Sequence, residues 1–462
     1  MAATKFCEKN FIYFAVFTVN LITFAAGGCW SWTSPVLPKL RSTDPNVNPL
    51  SEPTTTFEES WIAGIMNLGA IAGPFAAGVM SEKFGKKIAL LVLASPIVFS
   101  HVLSIFATNI HFFLAARLLI GIGAGAVFSI VPGYLGEIAE DTNRGLLGSM
   151  MGVFNCLGIL LMYLIGPFVS LRVFGFINLL APITFFVLFG VLTPASPYDL
   201  IKQGKTYEAE LSLAKLRGKC SSDVQKELAQ IIDSIQCFSD STVGLKLLKN
   251  KAFVKAMIIC LALMALQQLS GIGAVLGYMQ NIFESTGSSI PSEYLSILIG
   301  SIQLISNVCS AQLVEKAGRK ILLIISNIFS AIALISLGAY FYMLSSSMDV
   351  SCMNWLPIVS LITFIITFNL GLANLPWVIL SELFPANIKP LSSTVATFFC
   401  FGLSFVVNIC FPIITETLGM PGTFWIFAGI LFVGFTFSII IIPETKGKSS
   451  LEIQHMLSET KK

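Results

Sequence analysis

Residues 81–87 read Ser-Glu-Lys-Phe-Gly-Lys-Lys, and residues 314–320 read Val-Glu-Lys-Ala-Gly-Arg-Lys. Both heptapeptides have the order acid, base, any residue, glycine, base, base, and each follows a long apolar segment. A basic run beside one apolar segment is typical of a membrane anchor that sets orientation. The same run at equivalent places in two halves of one chain instead predicts an internal repeat, with two parallel halves.

The composition around these heptapeptides is that of an integral membrane protein. Of the 462 residues, 55% are hydrophobic and 11% are charged, and the mean hydropathy is +0.81. Soluble domains carry about a quarter charged residues, so a soluble multidomain chain of this composition would lack the polar surface to cover itself. Disorder is excluded because disordered chains are poor in apolar residues. The net charge of +3 and the three histidines favour neither nucleic-acid binding nor a metal site, and we expect no cofactor.

Twelve apolar segments are long enough to cross a bilayer, which requires about 20 residues. The sequence therefore predicts an all-α membrane protein of twelve transmembrane helices in two six-helix halves. The predicted spans are 11–37, 60–80, 88–107, 111–135, 146–168, 173–193, 252–280, 294–314, 321–343, 354–380, 391–414 and 422–442.

A long polar segment separates the sixth span from the seventh. It divides the chain into an N-terminal half (1–193), a linker (194–251), a C-terminal half (252–442) and a tail (443–462). Apolar residues at helical spacing over 207–218, ended by a glycine, predict short amphipathic helices in the linker, beneath the bundle.

The basic residues predict which side of the membrane each loop faces. With both termini and the linker in the cytoplasm, all but four of the 28 Lys and Arg residues lie on the cytoplasmic side. The exceptions are Lys39, Arg41 and Arg172 in outer loops and Arg117 within the fourth span. We therefore expect a multi-pass plasma-membrane protein with both termini cytoplasmic.

Acids and bases at the cytoplasmic ends of the spans predict a gate. Besides the two heptapeptides, Glu137 precedes Arg144 by seven residues after the fourth span, and Glu382 precedes Lys389 by seven after the tenth. Such charges can pair across neighbouring helices, hold that side shut and separate when the halves rock. The predicted inner gate comprises Glu82, Lys86, Glu137, Arg144, Glu315, Arg319, Glu382 and Lys389.

Further motifs lie on the same spans in a characteristic order. They are Gly78–Lys87 after span two, Arg117 with Gly121, Gly123 and Gly125 in span four, Pro132–Glu137, Pro194-Ala195-Ser196-Pro197 after span six, Gln267-Gln268-Leu269-Ser270-Gly271 in span seven, Pro376-Trp377 and Glu382-Leu383-Phe384 in span ten, and Pro443–Gly447. On these motifs the chain resembles, over nearly its whole length, the sugar porter branch of the major facilitator superfamily. Residues 194–197 are similar to the family's P-E-S-P element less its Glu. Trp32-Thr33-Ser34-Pro35 and Ser381–Pro385 resemble the insect trehalose/glucose transporter-like members.

The resemblance implies the major facilitator fold and facilitated transport of a neutral sugar, a hexose or trehalose, by alternating access in a monomer. Sugar hydroxyls require neutral donors and acceptors, which side-chain amides supply, and an aromatic wall. Gln267 and Gln268 lie deep in an apolar span, where an unpaired amide is costly. They are either sugar contacts or interhelical hydrogen bonds, and the resemblance favours sugar. The predicted substrate set is completed by Gln303, Trp377, Asn374, Tyr278 and Phe401.

Several of the family's polar contacts are missing from this chain. By the resemblance, a sugar-facing Gln aligns with Gly152, an Asn with Gly273, a gating Tyr with Gly277, and an Asn and a Trp with Cys400 and Phe401. We therefore expect a wider and more apolar cavity, suited to a larger substrate such as a disaccharide. Asn155, near Gly152, is a candidate for partial compensation.

Energy coupling is predicted from an absent acid. Proton-linked members of the family carry an acid in span one, near the arginine of span four, whereas residues 11–37 contain none. Arg117 therefore lacks such a partner, and its side chain is long enough to snorkel outward. We predict a uniporter that is insensitive to pH.

Three other functions compete with sugar transport. A sensor that kept the fold and lost flux is one, and a transporter of non-sugar small solutes is another, although a charged substrate would require a fixed charge in the cavity. A membrane enzyme is disfavoured because the spans hold no nucleophile, base or metal ligands at suitable spacing.

Overall fold

The computed structural model describes residues 11–140, 143–239, 251–288, 290–384 and 389–444. These residues are mostly α-helical, and they contain no strand. Eleven helices among them are long and apolar enough to cross a membrane.

The last of these helices contains two spans. It runs Lys389–Ile440 and is interrupted at Gly419, whose φ of +71° and ψ of 170° are not helical. Glycine adopts this positive φ at no steric cost, so Gly419 marks the turn between spans eleven and twelve. The twelve-helix major facilitator fold is thus confirmed.

The spans follow one another along the chain with breaks in spans one, seven and ten. They are formed by Phe11–Ser31 with Thr33–Leu40 (span one), Thr56–Phe84 (two), Lys86–Ile105 (three), Ile110–Ile138 (four), Arg144–Ile165 (five), Leu171–Val187 with the π-helical turn Leu188–Leu192 (six), Lys251–Leu269 with Ile272–Gly277 (seven), Ser292–Ala317 (eight), Arg319–Ser345 (nine), Leu356–Leu370 with Leu375–Leu383 (ten), and Lys389–Ile440 (eleven and twelve). A short helix, Met279–Glu284, connects spans seven and eight.

The linker packs against one end of the bundle. Its helices are Pro197–Lys202, Thr206–Arg217 and Gln225–Ser239, and Gly218 ends the second in the left-handed conformation, with φ +58°. The side chain of Arg217 donates to the carbonyl oxygen of Ile138 at the end of span four (2.7 Å). We call this end of the bundle the linker side and the opposite end the far side.

Glycines allow the spans of the N-terminal half to approach closely. A Cβ atom at Gly121 in span four would lie 2.0 Å from the carbonyl oxygen of Met66 in span two. A Cβ atom at Gly69 in span two would lie 2.2 Å from the carbonyl oxygen of Leu118. Small residues are how helices pack in lipid, where the hydrophobic effect does not drive helices together.

Candidate substrate site and gates

Gln267 fills the break in span ten. Its side-chain Nε2 donates to the carbonyl oxygens of Leu372 (2.7 Å) and Ala373 (2.9 Å), which lie between the two helices of that span. Irregular backbone at membrane depth is tolerated where other groups satisfy its polar atoms. Gln267 is only 5% exposed, and its amide satisfies two of the backbone carbonyls that the break leaves free.

Gln268 connects this amide to span eleven. Its Nε2 donates to Oε1 of Gln267 (3.3 Å) and lies 3.1 Å from Sγ of Cys400. The donors of both glutamines are therefore directed at protein atoms. Oε1 of Gln268 forms no hydrogen bond with the residues that the structure describes, and it remains available as an acceptor.

Aromatic rings lie beside these amides. Phe401, next to Cys400, stacks on Trp30 of span one, with ring centroids 5.8 Å apart and an interplanar angle of 11°. Trp377 and Asn374 are half-buried at the start of the second helix of span ten. The structure thus brings Gln267, Gln268, Trp377, Asn374 and Phe401 to one region. The stack joins the two halves, and its Trp30 member was missing from the predicted set.

Two predicted substrate residues lie apart from this group. Tyr278 is 2% exposed, packs on Phe411 and donates its hydroxyl to the backbone oxygen of Asn408 (3.5 Å). Gln303 of span eight is 6% exposed, and its Oε1 has no hydrogen-bond partner among the described residues. Contact of either residue with sugar stays a prediction.

The far side is closed by contacts between the halves. The short helix Ile272–Gly277 and the start of the next helix, Met279–Glu284, bond to spans one and five through their backbone atoms. The three bonds are Thr33 Oγ1 to the carbonyl oxygen of Gly277 (2.8 Å), the Gln280 N–H to Ser34 Oγ (3.0 Å) and the Tyr163 hydroxyl to the carbonyl oxygen of Leu276 (2.8 Å). Thr33 and Ser34 belong to the Trp-Thr-Ser-Pro motif, which could have identified them.

Charged residues surround this closure. Arg41 pairs with Glu59, which is fully buried at the start of span two. Burial lowers the pKa of Arg41, but the hydrogen bond and charge of Glu59 outweigh it and raise that pKa above its ordinary value. Burial raises the pKa of Glu284, although a hydrogen bond from Gln280 and the charge of Arg41 act in the opposite direction.

On the linker side, Lys86 forms ion pairs with two carboxylates. Its Nζ lies 2.6 Å from Oε1 of Glu137 and 3.1 Å from Oδ1 of Asp199. Its backbone N–H, at the start of span three, donates to Oδ2 of Asp199 (2.7 Å). Ser196 donates to the second oxygen of Glu137 (2.6 Å). Spans three and four and the linker are therefore joined at one point.

The C-terminal half has a similar cluster of charges at the start of span nine. Here the base pairs with one carboxylate, and a second carboxylate accepts backbone N–H groups. Arg319 donates to Oε1 of Glu382 through Nη2 (2.8 Å) and Nε (3.1 Å). Glu444, beyond span twelve, accepts the backbone N–H groups of Arg319 (3.0 Å) and Lys320 (3.1 Å) at the start of span nine. A carboxylate at a helix N-terminus satisfies unpaired donors and complements the helix dipole.

Half of the predicted gate residues thus have described partners. Lys86 pairs with Glu137, and Arg319 with Glu382. Glu82 is exposed, and no ion pair of its side chain occurs in the described part of the chain. The side chains of Arg144, Glu315 and Lys389 lie outside the described residues. Asp199 and Glu444 were not predicted as gate residues; Asp199 lies two residues beyond the Pro-Ala-Ser-Pro element.

Arg117 points into the bundle and does not snorkel. It is 3% exposed, and its guanidinium donates to the carbonyl oxygens of Cys29 (2.9 Å) and Ile62 (3.1 Å). It also lies over the ring of Trp32, 5.2 Å from the centroid. Backbone carbonyls and an aromatic face replace the expected route to the membrane surface. The carbonyl of Ile62 belongs to span two, which packs closely on span four, and the carbonyl of Cys29 and the ring of Trp32 belong to span one.

Two six-helix halves with broken spans and uncharged amides between them define a secondary transporter of the major facilitator type. The sequence pattern of the family described as "Sugar (and other) transporter" matches residues 12–457, and the chain belongs to this family. It is therefore a transporter and not an enzyme.

The names of similar proteins are consistent with membership of this family. The chain is 34% identical over 456 residues to the facilitated trehalose transporter of Bombyx mori, covering 98% of this chain and 88% of that protein. It is 36% identical over 446 residues to that of Anopheles gambiae, covering 96% of this chain and 55% of that protein. The chain thus spans about half the length of several of these relatives.

Solved structures of the xylose transporter from E. coli share the fold. The inward open form aligns with a TM-score of 0.79 at 22% identity, covering 96% of this chain and 99% of that one. The partially occluded inward open form gives 0.78 at 23% identity, covering 95% and 99%.

Proposed function

We propose that the protein carries a neutral sugar across the membrane by facilitated diffusion. The observation that carries this proposal is the group of uncharged amides and rings at the breaks of spans seven and ten. Amides bind hydroxyls as donors and as acceptors, whereas an ionic substrate would require a fixed charge beside it. The relatives are named trehalose transporters, which favours trehalose, and hexoses are the alternative substrates.

Uptake by cells or proteoliposomes containing the protein tests this function. Radiolabelled trehalose, glucose and fructose would be supplied one at a time, with empty vesicles as the control. At least one of them should enter faster than in the control and be displaced by an excess of the same unlabelled sugar. If none of the three sugars enters faster than in the control, the proposal is wrong.

The distribution of bonds supports alternating access. The three hydrogen bonds between halves described above lie on the far side, whereas the ion pairs of Lys86 and Arg319 join groups within the same half or its flanking segment. Opening the far side breaks these few bonds and leaves the ion pairs intact. We propose that the linker side is cytoplasmic, as the basic residues predict, and that the protein acts as a monomer in the plasma membrane.

Transport should not depend on a proton gradient. Arg117 is held by two carbonyls and a ring, and span one supplies no carboxylate that a proton could occupy. Initial uptake into proteoliposomes should therefore be equal within about twofold at pH 5.5 and 7.5, since neither span one nor the partners of Arg117 include a carboxylate whose protonation could drive the cycle. An inward proton current on addition of substrate would contradict uniport.

Glu382→Gln is expected to slow cycling with little change in substrate affinity. The amide still accepts one hydrogen bond from Arg319 but loses the charge, which for a partly exposed pair costs about 1 kcal/mol, or roughly a fivefold lower maximal rate. Uptake measured against sugar concentration separates the two parameters. Glu416→Gln, at an exposed carboxylate, is the matched control and should change neither. An unchanged maximal rate in the Glu382 variant would show that this pair, which lies within the C-terminal half, does not control the transport cycle.

A further inference from the structure

Asn307 is a buried amide without a partner at the interface between the halves. It lies near the middle of span eight and is 9% exposed, and its side chain forms no hydrogen bond with any described residue. Across the interface lies Gly152 of span five. A Cβ atom at Gly152 would lie 2.8 Å from Oδ1 of Asn307.

Asn408 of span eleven repeats this pattern. It is 6% exposed and faces Gly273 of span seven, where a Cβ atom would lie 2.9 Å from its Nδ2. Nδ2 donates to the carbonyl oxygen of Ser404 (2.8 Å), whereas Oδ1 has no described partner. Oδ1 lies 3.8 Å from the Cβ position of Gly277, where Thr33 of the other half also bonds.

The free amide atoms of Asn307 and Asn408 reach accessible space inside the bundle. Both residues are buried, but none of these atoms is among the fully enclosed side-chain atoms that lack a partner in the described part of the chain. A residue that served only to join helices would face a donor or acceptor on the neighbouring span. Here the neighbouring residue is glycine in both cases, which offers space and no side chain. Gln303 lies one turn from Asn307 on the same face of span eight, since residues four apart lie on one face of a helix, and its Oε1 is also unpartnered among the described residues.

We propose that Asn307 and Asn408 bind the hydroxyl groups of the sugar and help to select it. The amides that the family resemblance places on spans five and seven are absent at Gly152 and Gly273, and spans eight and eleven supply amides at these two places instead. The cavity then still offers polar groups to the sugar, but from spans eight and eleven instead of spans five and seven, and it is not simply more apolar. This inference rests on the proposed sugar transport.

An asparagine that faces a glycine does not necessarily bind substrate. Asn327 also faces a glycine but lies within one half, and it therefore serves as the matched control. Its Oδ1 lies 2.4 Å from the Cβ position of Gly434 and has no partner among the described residues, but unlike the free atoms of Asn307 and Asn408 it is fully enclosed, between spans nine and twelve. Its Nδ2 donates to the carbonyl oxygen of Leu323 (2.8 Å) and to Ser438 (3.3 Å). It joins helices within one half, away from the other half.

The test uses the full chain in proteoliposomes with labelled trehalose and glucose. Asn307→Leu and Asn408→Leu should each raise KM about tenfold for the transported sugar with the maximal rate within about twofold, and melting temperatures should not fall. Asn327→Leu should lower the melting temperature and leave KM unchanged. If the Asn307 and Asn408 variants melt earlier with an unchanged KM, these amides are structural and the inference is wrong.

A second variant covers the case in which leucine prevents folding. Gly152→Ala places a methyl group against Oδ1 of Asn307 and should raise KM, and adding Asn307→Ser should remove the clash without restoring the original KM. Full restoration would show that the amide itself does not bind sugar. If the unmodified protein transports neither sugar, the proposed function fails, whereas the inference alone fails if it transports and the variants keep its KM.

Discussion

Replacing Gln267 with leucine is expected to lower the initial rate of sugar uptake about 100-fold. The substitution leaves the carbonyl oxygens of Leu372 and Ala373 without a donor in the break of span ten. Each unpaired buried group costs about 1–3 kcal/mol, and a combined loss near 3 kcal/mol corresponds to about two orders of magnitude in rate. Initial uptake, normalised to the amount of protein in the membrane, measures the effect.

Gln268→Leu is the matched control for this variant. Gln268 is the neighbour of Gln267 in span seven, but it makes no hydrogen bond to the break in span ten. Its Nε2 donates only to Gln267 and Cys400 among the described residues, and its Oε1 is available as an acceptor. Its loss should weaken apparent affinity several-fold and leave the break in span ten intact. Equal losses in the two variants would mean that both glutamines act only through sugar contact, and that the bonds to span ten contribute nothing measurable.

The positions of the spans were predictable because apolar length and the distribution of basic residues are local features of the sequence. The turn between spans eleven and twelve fell in the predicted gap, 415–421, where Gly419 adopts a positive φ. The break in span ten lies just before Pro376, and the residue before a proline disfavours the helical conformation. An interhelical hydrogen bond was one of the two roles predicted for Gln267, but the carbonyls that it satisfies were not predictable, because the bond joins residues more than a hundred positions apart.

Side-chain direction was the part that the sequence did not reveal. Arg117 has the length to reach the membrane surface, but its inward carbonyl partners lie on spans one and two and depend on how these spans pack against span four. Asp199 escaped notice because the family element beside it lacks its Glu, and a carboxylate two residues beyond that element carries no signal of its own. Only the packing of the linker shows that it reaches the start of span three.

Removing the ammonium group of Lys86 should lower stability and uptake more than breaking the pair between Arg319 and Glu382 does. Lys86→Met leaves Glu137 and Asp199 facing each other without a cation, at 19% and 7% side-chain exposure. Removing one partner of a buried pair costs about 3–5 kcal/mol, because an uncompensated charge remains; partial exposure reduces this toward about 2 kcal/mol. We expect an earlier melting transition and uptake at least about 30-fold lower.

Neutralising Glu137 and Asp199 as well tests whether the unpaired carboxylate charges cause the loss of stability in Lys86→Met. In the triple variant Lys86→Met, Glu137→Gln, Asp199→Asn, no charge remains unpaired, and the amide oxygen introduced at position 199 can still accept the backbone N–H at the start of span three. Most of the lost melting temperature should return, because replacing a whole buried ionic group is far less destabilising than breaking it. Uptake should recover only partly, since the charge attraction that joins spans three and four to the linker is gone. A triple variant no more stable than the single one would show that the lost hydrogen bonds of the Lys86 ammonium group, and not the unpaired carboxylate charges, cause the damage, because methionine keeps the apolar chain in both variants.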